Sequence, residues 1–443
     1  MFAFVYETAD GDLIALRDHL GNVPLYYRFT PTGVRFSVAL ADLVAAGDDL
    51  DAHGVDVFLA LGTAKLAPLI SGVHVVPPGT AIKIARGSTT PETLFEYRLQ
   101  PGPASSLSID ELVHEVDRLM VQAVQRTLRS DSVGLYLSGG IDSALVAHYV
   151  KRAGAAVTGY TSSPWGAAGT EIAFAKINAE RTAVDRHVIV PLDTATYPMA
   201  VREVPHLYGA PHGITTLIAV ASLWRESGIA AESQLYFGQN TDTMTCSMPQ
   251  QYLVYFLHRL PGAVRRRLHP SLGREGPLAD YLSFATDGKL TAYEPFSRVY
   301  GGLDPLPLLT LAGMYVVHTP VDGECLSLPA VRRGMLASNP YYDMDLVEFC
   351  VRTPLRHRLT VSRSSKLLIQ LEKRVYRRLA SRFLPRELVF RKKGFTVPLI
   401  RDSTSREFEA GLPRRFEGRV LSSRGERFAS AVLEQFKAEY ELG

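Results

Sequence analysis

Cysteine is scarce: three in 443 residues, at Cys246, Cys325 and Cys350, with no CxxC or Cys/His spacing. That excludes a disulfide framework and a zinc site and fits a reducing, cytoplasmic setting. No uninterrupted apolar run reaches the roughly 18 residues of a membrane-crossing helix. The opening "MFAFVYETADGDL" has neither the basic flank nor the cleavage pattern of a signal peptide, and reads as a strand entering a turn. Charge of one sign is also missing. Lysine and arginine total 48 against 45 aspartate and glutamate, a net of +3, so bulk electrostatics point to neither nucleic acid nor membrane. Internal repeats and low-complexity tracts are absent. What remains is an ordinary globular balance, long enough for two or three domains.

Two regions differ in pattern. Residues 1–100 are short β segments separated by turn residues, with Asp10-Gly11 between "FAFVYE" and "LIALRD" as a hairpin signal. "PGPASS" (101–106) reads as a linker, and Ser108 with Glu111 forms a capping box ahead of an amphipathic helix. From 131 onward strands and helices alternate: "SVGLYL", "AAVTGYT", "RHVIVP" and "SQLYFG" are the strands. The expected fold is therefore α/β, a doubly wound parallel sheet within 108–443, preceded by a small β-rich domain over 1–100. Residues 250–440 read as mostly helical.

The chemistry concentrates in "LYLSGGIDSALVAHYV" (135–150), where a buried strand stops on Ser138-Gly139-Gly140 and a helix begins. Strand, glycine turn and helix start suit an anion held by backbone N–H groups at the positive end of a helix. Ser138 and Ser143 offer hydroxyls, and Asp142 would repel a bare phosphate, so it implies an intervening Mg²⁺. The pattern is neither a Walker A loop nor GxGxxG.

SGGIDS resembles the pyrophosphate loop of ATP pyrophosphatases of the asparagine synthetase type. Further stretches are similar to that family, in the same order. "RDHLGNVPLYY" (17–27) resembles the RDxxGxxPLYY segment of its glutaminase domain, and "NPYYDMDLVEFCVRTP" (339–354) its PFLDxxLVEF segment. "SSKLLIQ" and "LPRELVFRKKGFTVP" resemble the KxLLR and LPxxIxxRxKxGFxxP stretches. The resemblance implies ATP bound by Leu137, Ser138, Gly139, Gly140, Asp142 and Ser143, with adenine at Thr161 and Gly238 in a second loop, "YFGQNTD". It implies Mg²⁺ between Asp142 and Asp242, and a catalytic cation at Lys392 or Lys393. Glycine-bearing "KKGFTVP" is expected to act as a lid. The implied activity is amide formation between a small-molecule or peptide carboxylate and an amine through an acyl-adenylate. A homodimer, or a separate partner subunit supplying ammonia, is compatible with it; so is a non-catalytic relative acting as a binding protein.

Two departures from the family stand out. Its glutaminase uses an N-terminal cysteine, whereas Phe2 follows Met1 here and Met1-Phe2-Ala3-Phe4 resembles a segment inside that domain, so no glutaminase activity is expected. In the second loop, Gln239 stands where related β-lactam synthetases carry a tyrosine that works with a glutamate to deprotonate the amine. A glutamine cannot take a proton at neutral pH, so Gln239 is expected to orient substrate. The base is then absent or lies elsewhere, with Glu324, Asp343, Tyr341 and Tyr342 as candidates. Pocket residues are expected from 205–250 and 320–345.

Overall fold

The computed structural model describes residues 1–163, 170–192, 197–268, 276–359, 373–390 and 403–443. The N-terminal region contains two antiparallel sheets. One has the order β1 (Ala3–Glu7), β2 (Leu13–Arg17), β6 (Thr80–Ile84), β7 (Glu92–Glu96); the other runs β4 (Gly33–Ser37), β3 (Tyr26–Thr30), β5 (Val73–Val75). The Asp10-Gly11 turn forms as expected: Gly11 takes a positive φ of 80° and Thr8 N donates to Asp12 O at 2.8 Å. Ala15, Leu25, Tyr27, Val76, Ile82 and Ile84 are buried in a shared apolar cluster.

The "RDHLGNVP" segment is held by opposite charges used on backbone rather than on each other. The fully buried Arg17 donates to Val23 O at 2.8 Å, Val76 O at 2.7 Å and Gly21 O at 2.6 Å. Asp18 accepts from the backbone N–H of Leu20, Asn22 and Val23. One turn of chain is thereby pinned to the strand–loop junction at Val76. Helix α1 (Ala52–Leu61) follows, capped by the Asp51 carboxylate at Gly54 N.

Helix α2 (Ile109–Thr127) starts at the predicted capping box, with both reciprocal bonds made, and buries Leu112, Val116, Leu119 and Ala123 along one face. The parallel sheet has the order β10 (Arg186–Pro191), β9 (Ala156–Ser163), β8 (Ser132–Tyr136), β11 (Gln234–Tyr236), β12 (Leu336–Ser338). Helix α3 (Ile141–Arg152) and α4 (Thr170–Arg181) make the first two crossovers, and α5 (Tyr197–Tyr208) and α6 (Thr216–Glu226) separate β10 from β11.

The region 250–440 is mostly helical as expected, but among the described residues it also holds a two-stranded antiparallel ribbon, Arg415–Phe416 with Arg419–Val420, and one further strand. Leu336–Ser338 joins the sheet as its edge strand, in register with Gln234–Tyr236. Three residues are too short to show an alternating pattern, so the strand is specified by its neighbour. Winding proceeds outward from β8 in one direction, then returns to add β11 on its other side. That reversal places the C-terminal ends of β8 and β11 next to each other, where doubly wound sheets bind ligands. Among the described residues no helix is long and apolar enough to cross a membrane.

Replacing Arg17 with methionine, close in volume, is expected to destabilise the chain by about 3 kcal/mol, because three buried carbonyls lose their donor. A urea unfolding midpoint would show it; an unchanged midpoint would mean the guanidinium does not hold this turn.

Candidate active site

The first loop leaves β8 at Leu137, whose N–H donates to Tyr160 O on the neighbouring strand at 2.9 Å. Ser143, buried in the first turn of α3, closes the loop from inside: its Oγ accepts from Ser138 N at 3.0 Å and shares a hydrogen bond with Ser138 Oγ at 3.0 Å. Ser143 is therefore a staple, while Ser138 stays exposed. A buried asparagine that the sequence did not single out, Asn178 of α4, donates to Ser138 O at 2.8 Å and to Gly140 O at 3.1 Å. Gly139 has no room for a side chain, since a Cβ would lie 2.7 Å from Phe174 Cβ. These contacts leave the loop's peptide units at the N-terminus of α3, where backbone N–H groups suit an anion.

Thr161, expected near adenine, is buried; its Oγ1 donates to Leu137 O at 2.5 Å and shares a bond with His187 Nε2 at 2.7 Å. Its side chain thus ties β9 to the first loop.

The second loop follows β11. Gly238 lies so close to the first loop that a Cβ would come 2.9 Å from Ser143 N and 3.0 Å from the Asp142 carbonyl carbon. Asn240 adopts φ 99°, a left-handed conformation, and its Oδ1 accepts from buried Thr319 Oγ1. The chain then enters the short helix α7 (Thr241–Met244), carrying Asp242 in its first turn. Tyr341 OH donates to Asp142 O at 3.0 Å from the other side.

Both carboxylates meet one cation. Lys373 Nζ lies 2.5 Å from Asp142 Oδ2, 2.8 Å from Asp242 Oδ2 and 2.8 Å from Thr241 Oγ1. Burial works to lower the Lys373 ammonium's pKa, but the two carboxylates outweigh it and hold the pKa above its ordinary value. Lys373 was missed because the lysine–arginine pattern was placed on "SSKLLIQ", which has no arginine four residues on. "KRVYR", Lys373 to Arg377, has that spacing. Lys392, Lys393, "SSKLLIQ" and the expected lid "KKGFTVP" lie outside the described residues.

The expected bases have other occupations. Glu324 is fully buried and accepts from Thr63 Oγ1 at 2.5 Å, facing the N-terminal region. Asp343 caps the Met344–Arg352 helix and pairs with Arg126 at 2.9 Å. Burial raises the Tyr341 and Tyr342 hydroxyls far above the ordinary tyrosine range.

The residue that does face the second loop is Asp322, on the Thr319–Val331 helix just beyond a π-helical turn at Gly313–Val317. Its Oδ2 accepts from Gln239 Nε2 at 2.9 Å, and Asn339 Nδ2 holds the Gln239 carbonyl at 3.0 Å. Crowding by protein pushes the Asp322 carboxyl up to about 6; the Gln239 donor opposes this, and the Asp242 charge adds to it.

A protein-family model described as asparagine synthase matches residues 115–231 and 330–440, and a glutamine amidotransferase domain model matches residues 1–96. This chain belongs to the asparagine synthase family. The glutamine-hydrolysing asparagine synthetase 2 of Bacillus subtilis (strain 168) is 45% identical over 58 residues, a stretch covering 13% of this chain and 8% of that protein. The asparagine synthase match spans both strands that carry the first loop and its neighbour, β8 and β9, and also Asn339, Lys373 and the helix that begins at Arg374. Gln239 and Asp322 fall between its two segments, where the family model is silent.

The raised Asp322 pKa makes a prediction about stability. Below about pH 4 the carboxyl is protonated whether the chain is folded or not. Between 4 and 6 the unfolded chain ionises first, so stability falls as pH rises; above 6 the full penalty of about 3 kcal/mol applies. Asp322→Asn, which keeps an acceptor for Gln239, is expected to raise stability at pH 7.5 by about 1–3 kcal/mol, with the gain vanishing at pH 4. Denaturant midpoints at the two pH values measure it, and a destabilised variant at pH 7.5 would refute it.

Proposed function

We propose that this chain uses ATP to join a carboxylate to an amine through an acyl-adenylate, releasing pyrophosphate and AMP, in the biosynthesis of a specialised metabolite or peptide. The observation that carries this is the convergence of Asp142 and Asp242, from the two strands flanking the reversal of the sheet, on one cation position above the start of α3. The arrangement fits Mg²⁺. Asp142 Oδ1 is buried without a hydrogen-bond partner among the described residues, and two carboxylates are as many as Mg²⁺ takes beside phosphate oxygens and water. Mg²⁺, when bound, neutralises charge on the departing pyrophosphate.

The chain's own groups supply the rest. The N–H groups of Gly139 and Ile141, at the start of α3, hold pyrophosphate oxygens, and the Lys373 ammonium pairs with both aspartates and holds them turned toward each other. Leu137, Thr161 and Gly238 form the wall on which the nucleoside rests, and the carboxylate to be activated lies beyond Gln239. Lys392 or Lys393 is assigned the cation on the crowded phosphorus.

Glutamine hydrolysis is excluded from the proposal on chemical grounds. All three cysteines of this sequence are buried, and burial pushes the Cys246 thiol up to about 12, the Cys350 thiol up to about 11, and Cys325 upward as well. None offers a thiolate at neutral pH. Purified chain given glutamine and Mg²⁺–ATP is expected to release no glutamate. Release at a rate matching amide synthesis would contradict this.

Asp142→Asn is expected to lower carboxylate-dependent pyrophosphate release at least 100-fold with the melting transition retained. Full activity in that variant would remove the metal role assigned to Asp142 and, with it, the adenylation chemistry.

A further inference from the structure

We propose that Asp322 is the general base of the coupling step, taking the proton from the amine as it attacks the acyl carbon. The proposal rests on the ligase function above and identifies the group which that function needs and Gln239 cannot supply.

Geometry carries the argument. An ionised carboxylate only accepts hydrogen bonds, so the Gln239 amide must turn its NH₂ to Asp322 Oδ2, as it does at 2.9 Å. That commits the Gln239 amide nitrogen and one of the two Asp322 oxygens: Asp322 Oδ1 takes no hydrogen bond from any described residue, and the Gln239 amide oxygen is turned away from the carboxylate. An amine seated against Gln239 thus meets an acceptor that orients it and, beside that, an oxygen that can remove its proton. The loop is fixed for this purpose. Asn339 holds the Gln239 backbone carbonyl, Thr319 holds Asn240, and Gly238 packs against Asp142, so Gln239 and Asp322 lie at the edge of the phosphate site.

The surroundings do not explain Asp322 as a structural ion. Lys373 is shared by Asp142 and Asp242, and no salt bridge to Asp322 exists among the described residues. The groups that face it are Gln239, the like charge of Asp242, and the neutral Tyr342 and Cys325. A carboxylate left uncompensated among these is destabilising, and such groups persist at sites of proton transfer. Two residues further along the same helix, Glu324 points to Thr63 instead, so the acidic side chain at 322 alone is turned to the site.

The step balances. The amine lone pair forms the N–C bond, the C–O bond to the adenylate phosphate breaks with its electron pair leaving on AMP, and the N–H proton passes to the Asp322 carboxylate. As the bond forms, the nitrogen becomes cationic and its proton acidic, so a carboxylate is a strong enough base once the amine arrives uncharged.

The test separates the two half-reactions. Carboxylate-dependent ATP–pyrophosphate exchange, with the proteinogenic amino acids as donors, reports adenylation; amide formation with ammonia, methylamine and hydroxylamine reports coupling. Asp322→Asn and Asp322→Ala are expected to keep exchange within threefold of wild type and to lose coupling at least 100-fold. Expressed per concentration of uncharged amine, the wild-type coupling rate should fall with decreasing pH below about 6, and this limb should be absent from the residual rate of Asp322→Asn. Coupling by Asp322→Asn within threefold of wild type would show that only the hydrogen bond to Gln239 matters and would overturn the base. Equal losses in exchange and coupling would overturn it too, as a structural defect. Absence of exchange in the wild type with every donor would overturn the ligase function and the base together.

Discussion

Everything in the synthetase region is arranged around the approach of two loops whose carboxylates repel each other. Asp142 and Asp242 lie close only because β8 and β11 are neighbours in the sheet, and because Gly238 allows backbone to touch backbone at the start of α3. Lys373 supplies the charge that makes the contact tolerable. The lysine enters from the opposite end of the sequence, just ahead of the Arg374–Ala380 helix, so closure of the site depends on the C-terminal helices packing against α2 and α3. A fold that brings 142, 242 and 373 to one point within a few ångströms has little freedom left in its core.

The N-terminal sheets dock onto this core through polar contacts as well as apolar ones. Thr63 reaches Glu324, Gly213 N donates to Gly62 O at 2.8 Å, Tyr293 OH donates to Leu66 O at 2.9 Å, and Leu99 N donates to Tyr300 OH at 3.1 Å. The Thr319–Val331 helix runs between the two regions, with Glu324 engaged by the N-terminal side and Asp322 by the loop after β11. One helix therefore registers the position of the N-terminal region against the second loop. Residues two apart on an α-helix lie about 200° apart around its axis, so 322 and 324 serve different sides.

The electrostatics of the site divide into a satisfied part and an unsatisfied part. Asp142 and Asp242 share an ammonium and are stabilised where they are. Asp322 has a neutral donor on one side and a like charge on the other, so its ionised form is disfavoured. Ionisation of Asp322 therefore lowers stability locally, and the hydrogen bonds from Gln239 and Asn339 hold the geometry in spite of it.

The local code of this chain is strong. The Asp10-Gly11 hairpin, the Ser108–Glu111 capping box and four of the five parallel strands follow from turn residues, side-chain reach and apolar periodicity, which are short-range effects. So does the glycine loop at 138–143, since strand, glycines and helix start are contiguous. What the sequence could not determine is which distant residues complete the site. The β12 strand has no pattern of its own and exists because β11 offers an edge. Asn178 braces the first loop from a separate helix, and Glu324 is turned away from the site although it is two residues from Asp322. Lys373 and Asp322 sit in stretches that read as ordinary helix, 131 and 83 positions from the nearest loop residues they touch — and those separations are closed by sheet order and helix packing alone. Local chemistry determined the elements and the glycine loop; tertiary structure decided which charges meet, because a contact between distant residues leaves no trace in either one's neighbours.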